Sequence, residues 1–104
     1  MNPELKKVFS LIGIATKSNN IVSGEFQTEK AVKEHSAALV IVAEDASDNT
    51  KKMFTNMCEY HKVPIFFCGL KTELGHHMGK EFRASLAVLD KGLADAIDKQ
   101  LKMM

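Results

Sequence analysis

The chain has 104 residues, of which 45% are hydrophobic and 26% are charged, and its formal net charge at pH 7 is +1. This length and composition exclude a disordered or fibrous chain and favour one compact domain over residues 1–104 with a modest core. The near-neutral charge excludes nucleic-acid binding through an overall basic field, so any such role requires a local patch.

The first part of the chain begins with a predicted helix. Pro3–Lys17 carries apolar residues at helical spacing, and proline suits the first helical position. A loop at 18–20 and a very short strand at Ile21-Val22 follow. Gly24 then opens a second predicted helix, which extends to about His35.

The middle of the chain contains the most continuous apolar run. Residues 38–43 predict a strand that is buried on both faces, and therefore a sheet with helices on both sides. Ser47 or Asp48 is expected to cap the next helix, and Pro64 to stop it. Residues 65–68 are then predicted to form a third strand.

The last part continues the alternation of helix and strand. A turn at Gly69 leads to a short helix over 71–79, a polar loop over 80–83 and a fourth strand over 84–89. A closing helix carries an apolar row of Leu93, Ile97 and Leu101. The alternation predicts an α/β domain whose central sheet is covered on both faces.

Two features of the sequence bear on where the protein works. No apolar run reaches the length of a membrane span, and the start of the chain does not resemble a secretory signal. We therefore expect a cytoplasmic protein with no membrane partner. Cys58 and Cys68 lack the spacing of metal ligands, and we expect both to be buried, reduced thiols.

The second predicted helix has its one large aromatic residue on its polar side. A helical wheel of about 100° per residue places four residues toward the core, namely Thr28, Ala31, Val32 and His35. Phe26, Lys30 and Lys33 fall on the opposite side. The position of Phe26 therefore conflicts with the apolar pattern of its helix and requires an explanation.

Two explanations for Phe26 are open. Its ring can pack against the preceding loop or the first helix, while Glu29–Lys33 and Lys30–Glu34 form solvated pairs along the helix. Alternatively, the free amide groups at the glycine that opens the helix can bind phosphates and base edges together with Gln27 and Lys30. Phe26 would then offer a stacking face for a base.

An acidic pair and a histidine pair are the remaining candidates for chemistry. Glu44 and Asp45 can hold a metal, act as a general base or favour the dipole at a helix amino terminus. No glycine-rich phosphate loop and no serine, histidine and acid set accompanies them. The side chains of His76 and His77 diverge by about 100° on a helix, so they do not converge on one ion. An enzymatic role would depend on the acidic pair, but we expect neither a metal site nor catalysis.

A series of different short motifs extends along nearly the whole chain in a specific order and spacing. They are Ser23-Gly24-Glu25 with Lys30-Ala31, Ala37–Val40 leading into Ala43–Ser47, Asn49–Lys52, Cys58, Val63-Pro64, Lys71–Gly75 and Gly79-Lys80. In this order they resemble the small bacterial members of the ribosomal protein L7Ae/L30e family. The resemblance implies a three-layer α/β/α sandwich with a mixed four-stranded sheet, the L30e-like fold.

The resemblance also implies a function, because the usual activity of the family is binding RNA kink-turns. In its RNA-binding members a Gly-x-Asn-Glu-x-x-Lys signature opens the second helix and reads sheared G·A pairs, and the loop before the last strand covers an extruded base. The signature corresponds to the opening of the second helix here, and the loop to residues 81–83. The candidate RNA-binding residues are Gly24, Glu25, Phe26, Gln27, Lys30, Lys33, Glu81, Phe82 and Arg83.

Two residues depart from the family signature. Phe26 stands where the signature has asparagine, and Gln27 where it has glutamate. Phenylalanine lacks the polar contacts of asparagine, and glutamine is a neutral amide that presents donors as well as an acceptor. Weakened, retargeted and absent RNA binding are all compatible with these changes.

Two functional hypotheses follow from these observations. The first is a non-catalytic protein, without a cofactor, that binds a kink-turn or related structured RNA and associates with ribosomal or other RNA-associated proteins. The second is a protein-interaction module on the same fold, with weak or lost RNA binding, that uses Phe26 and the neighbouring charges as its contact patch.

Overall fold

A computed structural model describes residues 2–104, which form five helices and a four-stranded sheet. The helices are α1 (Pro3–Lys17), α2 (Glu25–Lys33), α3 (Asp48–His61), α4 (Lys71–His77) and α5 (Lys91–Lys102). The strands are β1 (Ile21–Ser23), β2 (Leu39–Val42), β3 (Ile65–Phe67) and β4 (Ser85–Val88). The predicted order of elements is confirmed. Within residues 2–104, no helix has the length and apolarity that crossing a membrane requires.

The sheet is mixed, as predicted, and its strands lie in the order β1-β4-β2-β3. Strand β4 pairs antiparallel with both β1 and β2, whereas β2 and β3 are parallel. The carboxyl ends of β1, β2 and β3 therefore lie at the same end of the sheet as the amino end of β4. We name this side the loop edge, and it contains residues 23–25, 43–46, 68–71 and 80–84.

The two inner strands are buried on both faces. Every residue of β2 and of β4 is buried, as the continuous apolar run predicts for β2. Helices α2 and α3 contact each other, and α1 contacts α4 and α5. The core takes large side chains from both helical layers, including the fully buried Phe54 of α3 and Ile12 of α1. Each such side chain stabilises the fold by about 1.5–3 kcal/mol through burial. The two helical layers and the sheet between them form the predicted α/β/α sandwich.

Helix α2 ends earlier than the sequence predicts. Its last helical residue is Lys33, and His35 follows with a φ of 62° and an exposed side chain. The prediction that His35 faces the core is therefore wrong, because the helical wheel does not apply beyond the end of the helix. Thr28, Ala31 and Val32 are buried, as predicted.

Helix α3 begins at the predicted cap and ends shortly before Pro64. Ser47 caps it, because its Oγ accepts a hydrogen bond from the backbone N–H of Thr50 at 3.1 Å. The helix ends at His61, and its C-cap residue Lys62 has a left-handed backbone with a φ of 59°. The backbone N–H of Val63 donates to the carbonyl of Cys58 at 2.9 Å and completes the cap. Pro64 follows this cap and cannot continue a helix, so α3 ends before the proline, as predicted, and the left-handed Lys62 provides the cap.

Both cysteines are free and buried, which confirms their predicted state. Burial raises the pKa of the Cys58 thiol to about 11. Burial, reinforced by the charges of Glu44 and Glu73, raises the pKa of the Cys68 thiol to about 12. Both thiols are therefore protonated and poorly nucleophilic at neutral pH.

His77 is expected to contribute a pH dependence to the stability of this fold. Its ring stacks on Phe9 of α1 with a centroid distance of 4.6 Å. Burial and, second, the neighbouring His76 lower the pKa of His77, while Glu73 opposes the shift. Below about pH 6.5 the unfolded chain therefore binds a proton at this position more readily than the folded one. The contribution of His77 to the free energy of unfolding therefore falls as the pH drops through this range.

When the pH is lowered from about 7.5 to about 5, we expect the free energy of unfolding to fall less in His77→Phe than in the unsubstituted chain. Phenylalanine retains the ring contact and binds no proton. Urea denaturation at both pH values measures the difference. His35→Asn is the matched control, since it removes an exposed histidine and asparagine tolerates a left-handed backbone. Equal losses in His77→Phe and the unsubstituted chain would contradict the prediction.

Candidate nucleic-acid interface

The two segments that carry the predicted site residues meet at the loop edge. The backbone N–H of Gly24 donates to the carbonyl of Ser85 at 3.0 Å, and the backbone N–H of Ala43 donates to the carbonyl of Ala84 at 2.8 Å. The start of β4 is thus held between the ends of β1 and β2. As a result, the loop over 80–83 lies beside the amino terminus of α2.

Gly24 determines how α2 begins. Its φ of 91° and ψ of 160° belong to a region that is accessible essentially to glycine alone. Nothing lies within 4 Å of the position that a Cβ would occupy, so the requirement for glycine comes from the backbone conformation. Gly24 is the N-cap of α2 and provides no side-chain hydrogen bond to the helix. The first amide groups of α2 can therefore donate to an anion, which the helix dipole also attracts.

A buried pair of hydroxyl groups attaches α2 to β4 beneath this surface. The Oγ of Ser85 donates to the Oγ1 of Thr28 at 3.2 Å, and both residues are almost completely buried. Removing either hydroxyl would leave the other without its partner, at a cost of about 1–3 kcal/mol. Ser85 was not identified from the sequence, and the available signal was a polar residue at the start of an otherwise apolar strand.

Arg83 ties the loop over 80–83 to the neighbouring strand and helix. Its Nε donates to Ser23 Oγ at 3.0 Å, and its Nη1 donates to the carbonyl of Phe82 at 2.8 Å. Its backbone N–H donates to the carbonyl of Lys71 at 3.0 Å. Arg83 therefore holds the loop in place, and its remaining guanidinium N–H groups can still donate to a phosphate.

Both aromatic side chains of the candidate interface are exposed. The exposed fraction is 72% for Phe26 and 56% for Phe82. The explanation that Phe26 packs against the preceding loop or the first helix is therefore wrong. α1 contacts α4 and α5, so its layer is separated from α2 by the sheet. Exposed aromatic rings near a helix amino terminus can stack on unpaired bases.

The outer face of α2 carries charges beside Phe26. A shallow hollow of about 340 Å³ is lined by Phe26, Glu29, Lys30, Lys33 and Glu34. Lys33 Nζ lies 2.7 Å from Glu29 Oε1, which confirms that predicted pair. The other predicted pair, between Lys30 and Glu34, does not form among residues 2–104. The charge of Lys30 is therefore available to a ligand.

The remaining candidate residues are polar and exposed. Gln27 lines a second hollow, of about 150 Å³, on the other flank of α2 together with Lys30. Glu25 begins α2, and Glu81 lies in the loop over 80–83. Their carboxylates repel phosphate but can accept hydrogen bonds from base amino groups.

Asp45, one residue of the acidic pair that follows β2, has a structural role at the loop edge. Asp45 Oδ1 accepts a hydrogen bond from the backbone N–H of Lys71 at 2.8 Å, at the amino terminus of α4. The interpretation of this carboxylate as one that favours a helix amino terminus is confirmed. The backbone N–H of Glu44 donates to the carbonyl of Gly69 at 2.8 Å. Across residues 2–104, no three His, Cys, Asp or Glu side chains are grouped as ligands for a metal ion.

Gly75 of α4 sets how closely the loop over 80–83 approaches that helix. A Cβ at this position would lie 2.5 Å from the Cα of Phe82 and 2.7 Å from its backbone nitrogen. The loop backbone can therefore occupy its place only against a glycine. The sequence analysis identifies Gly75 only as part of the motif Lys71–Gly75. Its close contact with the loop over 80–83 is seen only in the folded structure.

A sandwich in which a glycine-opened helix and the loop before the last strand meet at one sheet edge is the arrangement that the L7Ae/L30e resemblance predicts. The model of the ribosomal protein L7Ae/L30e/S12e/Gadd45 family matches residues 6–97. The chain belongs to this family.

Individual relatives agree with this assignment. The chain is 40% identical over 89 residues to the RNA-binding protein YlxQ of Bacillus subtilis (strain 168), covering 86% of this chain and 89% of that protein. A protein of unknown function from Bacillus halodurans C has a similar structure, with a TM-score of 0.90 and 31% identity over 92% of this chain and 97% of that one. A Giardia lamblia 15.5kD RNA binding protein has a TM-score of 0.81 over 99% and 89% of the two chains. Because the two sequences are only 24% identical, this structural similarity shows a shared fold and nothing more.

We expect Gly75→Ala to lower the free energy of unfolding by about 1–3 kcal/mol, because the backbone of Phe82 must move away from the new methyl group. Chemical denaturation measures the change. Gly13→Ala in α1 is the matched control. The nearest atom to a Cβ there is 3.9 Å away, so alanine should stabilise that helix by about 0.5–1 kcal/mol. A destabilisation of equal size in both variants would contradict the prediction.

Proposed function

We propose that the chain is a non-catalytic RNA-binding protein that recognises a kink-turn or a related structured internal loop. The observation that carries this proposal is the meeting of α2 and the loop over 80–83 at the loop edge. These two segments carry the open backbone amides of α2, the unpaired Lys30 and the exposed rings of Phe26 and Phe82. The name of the relative that is 40% identical supports RNA as the class of ligand. The cytoplasm is the proposed location.

Each part of this surface has a proposed role. Gly24 lets the RNA backbone approach the first amides of α2, and Lys30 supplies a charge for a phosphate. Gln27 hydrogen-bonds to base edges. Phe82 covers an extruded base by stacking, while Arg83 holds the loop and donates to the RNA backbone. The binding free energy thus combines a few charged contacts with stacking.

This arrangement favours recognition of shape over general attraction to nucleic acid. The formal net charge is +1, and acidic residues accompany the lysines of α2. A protein with few phosphate contacts has weak non-specific binding and a small dependence of affinity on salt. An RNA that already presents a kinked backbone and unpaired bases offers the additional contacts that a regular duplex lacks.

The main test is a titration of a fluorescently labelled kink-turn RNA and of an unkinked duplex of the same length, at two stated salt concentrations. We expect the kink-turn to bind at least tenfold tighter, about 1.4 kcal/mol. Lys30→Ala should weaken kink-turn binding and reduce the salt slope by about 1, because one phosphate contact is lost. Lys17→Ala, at the end of α1, is the control and should bind as the unsubstituted chain does. Equal affinity for the two RNAs would refute specific recognition, and an unchanged Lys30→Ala would refute the site.

A protein-contact module is the second candidate function, and the 72% exposure of Phe26 is the observation that favours it. Large aromatic side chains are frequent anchors of protein interfaces. In this alternative the hollow beside Phe26 receives a side chain of a ribosomal or other RNA-associated protein.

Phe26→Asn separates the two functions, because it restores the residue of the family signature. If RNA is the ligand, we expect this variant to bind a kink-turn about tenfold tighter, through new hydrogen bonds to base edges. Phe26→Ala is the control, since it removes the ring without adding a polar group and should not strengthen binding. Unchanged RNA affinity, together with loss of a protein partner from affinity purification, would favour the protein-contact module.

A further inference from the structure

A groove lies between α1 and α5, on the side of the sheet away from α2. The carboxyl end of α1 and the amino end of α5 both adjoin the edge of the sheet opposite the loop edge, because Ile21 of β1 pairs with Val88 of β4. The two helices therefore run antiparallel. The groove has a volume of about 430 Å³ and is lined by Lys7, Ser10, Leu11, Ala96, Lys99 and Gln100. We name it the α1–α5 groove.

The residues that line the α1–α5 groove belong to matching helical rows. The lining positions are 7, 10 and 11 on α1 and 96, 99 and 100 on α5, which is i, i+3 and i+4 on each helix. The next positions of the two rows are Ile14 and Met103, which are 52% and 59% exposed. Apolar side chains thus continue beyond both ends of the groove on faces where surface helices normally carry polar residues.

The flanks of the groove are positively charged. Lys7 and Lys99 form no ion pair within residues 2–104. The carboxylates of Asp95 and Asp98 on α5 are already paired with lysines one helical turn away, at 3.1 Å and 3.0 Å. A second copy of this face would bring like charges together. An acidic partner complements it instead.

Gln100, which lines the groove, has a side-chain oxygen without a hydrogen-bond donor. Gln100 Oε1 is buried and has no hydrogen-bond partner among residues 2–104. An unsatisfied buried acceptor is costly in a folded protein. Because this oxygen is shielded from solvent, a ligand N–H or O–H group would satisfy it after rotation of the Gln100 amide toward the groove.

We propose that the α1–α5 groove binds an amphipathic helix of a protein partner. The apolar row of that helix lies between Leu11 and Ala96, and its acidic side chains contact Lys7 and Lys99. A polar side chain of the same helix donates to Gln100 Oε1 once the Gln100 amide has rotated toward the groove. Because α2 lies on the other side of the sheet, this partner and an RNA bind at the same time. The apolar floor favours a protein helix over an RNA backbone, which would use only the lysines.

The test uses a synthetic peptide of about 18 residues, long enough to form a helix. It has leucine and alanine at i, i+3, i+4 and i+7 and glutamate on both flanks of this row. The peptide is titrated, without RNA, into the full chain labelled with nitrogen-15 for NMR spectroscopy. We expect the amide resonances of residues 7–14 and 96–103 to shift, while those of 24–30 and 80–83 do not. A peptide of identical composition but scrambled order should not bind.

Three variants locate the contact. Lys99→Glu should weaken peptide binding about tenfold, because attraction becomes repulsion. Lys52→Glu on α3 changes the charge equally and should have no effect. Ala96→Arg fills the groove and should abolish binding while the dispersion of the spectrum shows an intact fold. If Ala96→Arg does not fold, the comparison of peptide affinity between Lys99→Glu and Lys52→Glu still tests the proposed contact.

Several results would overturn the proposal. These are the absence of shifts along the groove, equal binding of the scrambled peptide, and equal effects of Lys99→Glu and Lys52→Glu. A loss of RNA affinity in Lys99→Glu without a loss of peptide affinity would assign the groove to RNA. A molar mass that rises with concentration for the unsubstituted chain, but not for Lys99→Glu, would assign it to self-association. The peptide titration is independent of kink-turn binding, so either function can fail without the other.

Discussion

The first residue of β4 connects every part of the candidate interface. The carbonyl of Ser85 accepts from Gly24, where α2 begins, and its hydroxyl donates to Thr28 inside that helix. Because β4 is antiparallel between β1 and β2, the loop before it must lie beside the ends of both strands. A shift of one residue in this pairing would turn the side chains of β4 to the opposite faces and remove the loop from α2.

Helix α4 supports the loop from its other side. The helix is held at its amino terminus by Asp45, whose carboxylate accepts from Lys71, and the carbonyl of Lys71 in turn accepts from Arg83. Gly75 lets the backbone at Phe82 approach this helix closely. The acidic residue after β2 therefore acts on the interface indirectly, by positioning a helix and a loop. The hydrogen bond from Lys71 to this side chain gives the carboxylate at this strand end a structural role.

The charges of the protein are distributed so that its two candidate surfaces differ. On the outer face of α2 one lysine is paired with a glutamate and another is not, so attraction of phosphate is local and limited. On the opposite layer, the carboxylates at Asp95 and Asp98 are neutralised along α5, which leaves Lys7 and Lys99 unpaired beside an apolar groove. The ligands proposed for these two candidate surfaces, a structured RNA and an acidic helix, would therefore use different contacts on opposite sides of one sheet.

The sequence by itself determined the order of helices and strands, the burial of β2, the cap at Ser47 and the family. These features depend on local periodicity, on residue type at a helix end and on motif order, all of which are readable along the chain. Only the tertiary structure decided the exposure of Phe26, the link from Asp45 to α4 and the approach of Gly75 to the loop. Each of these depends on neighbours brought together by strand pairing or by packing on the sheet, and no local pattern encodes such distances.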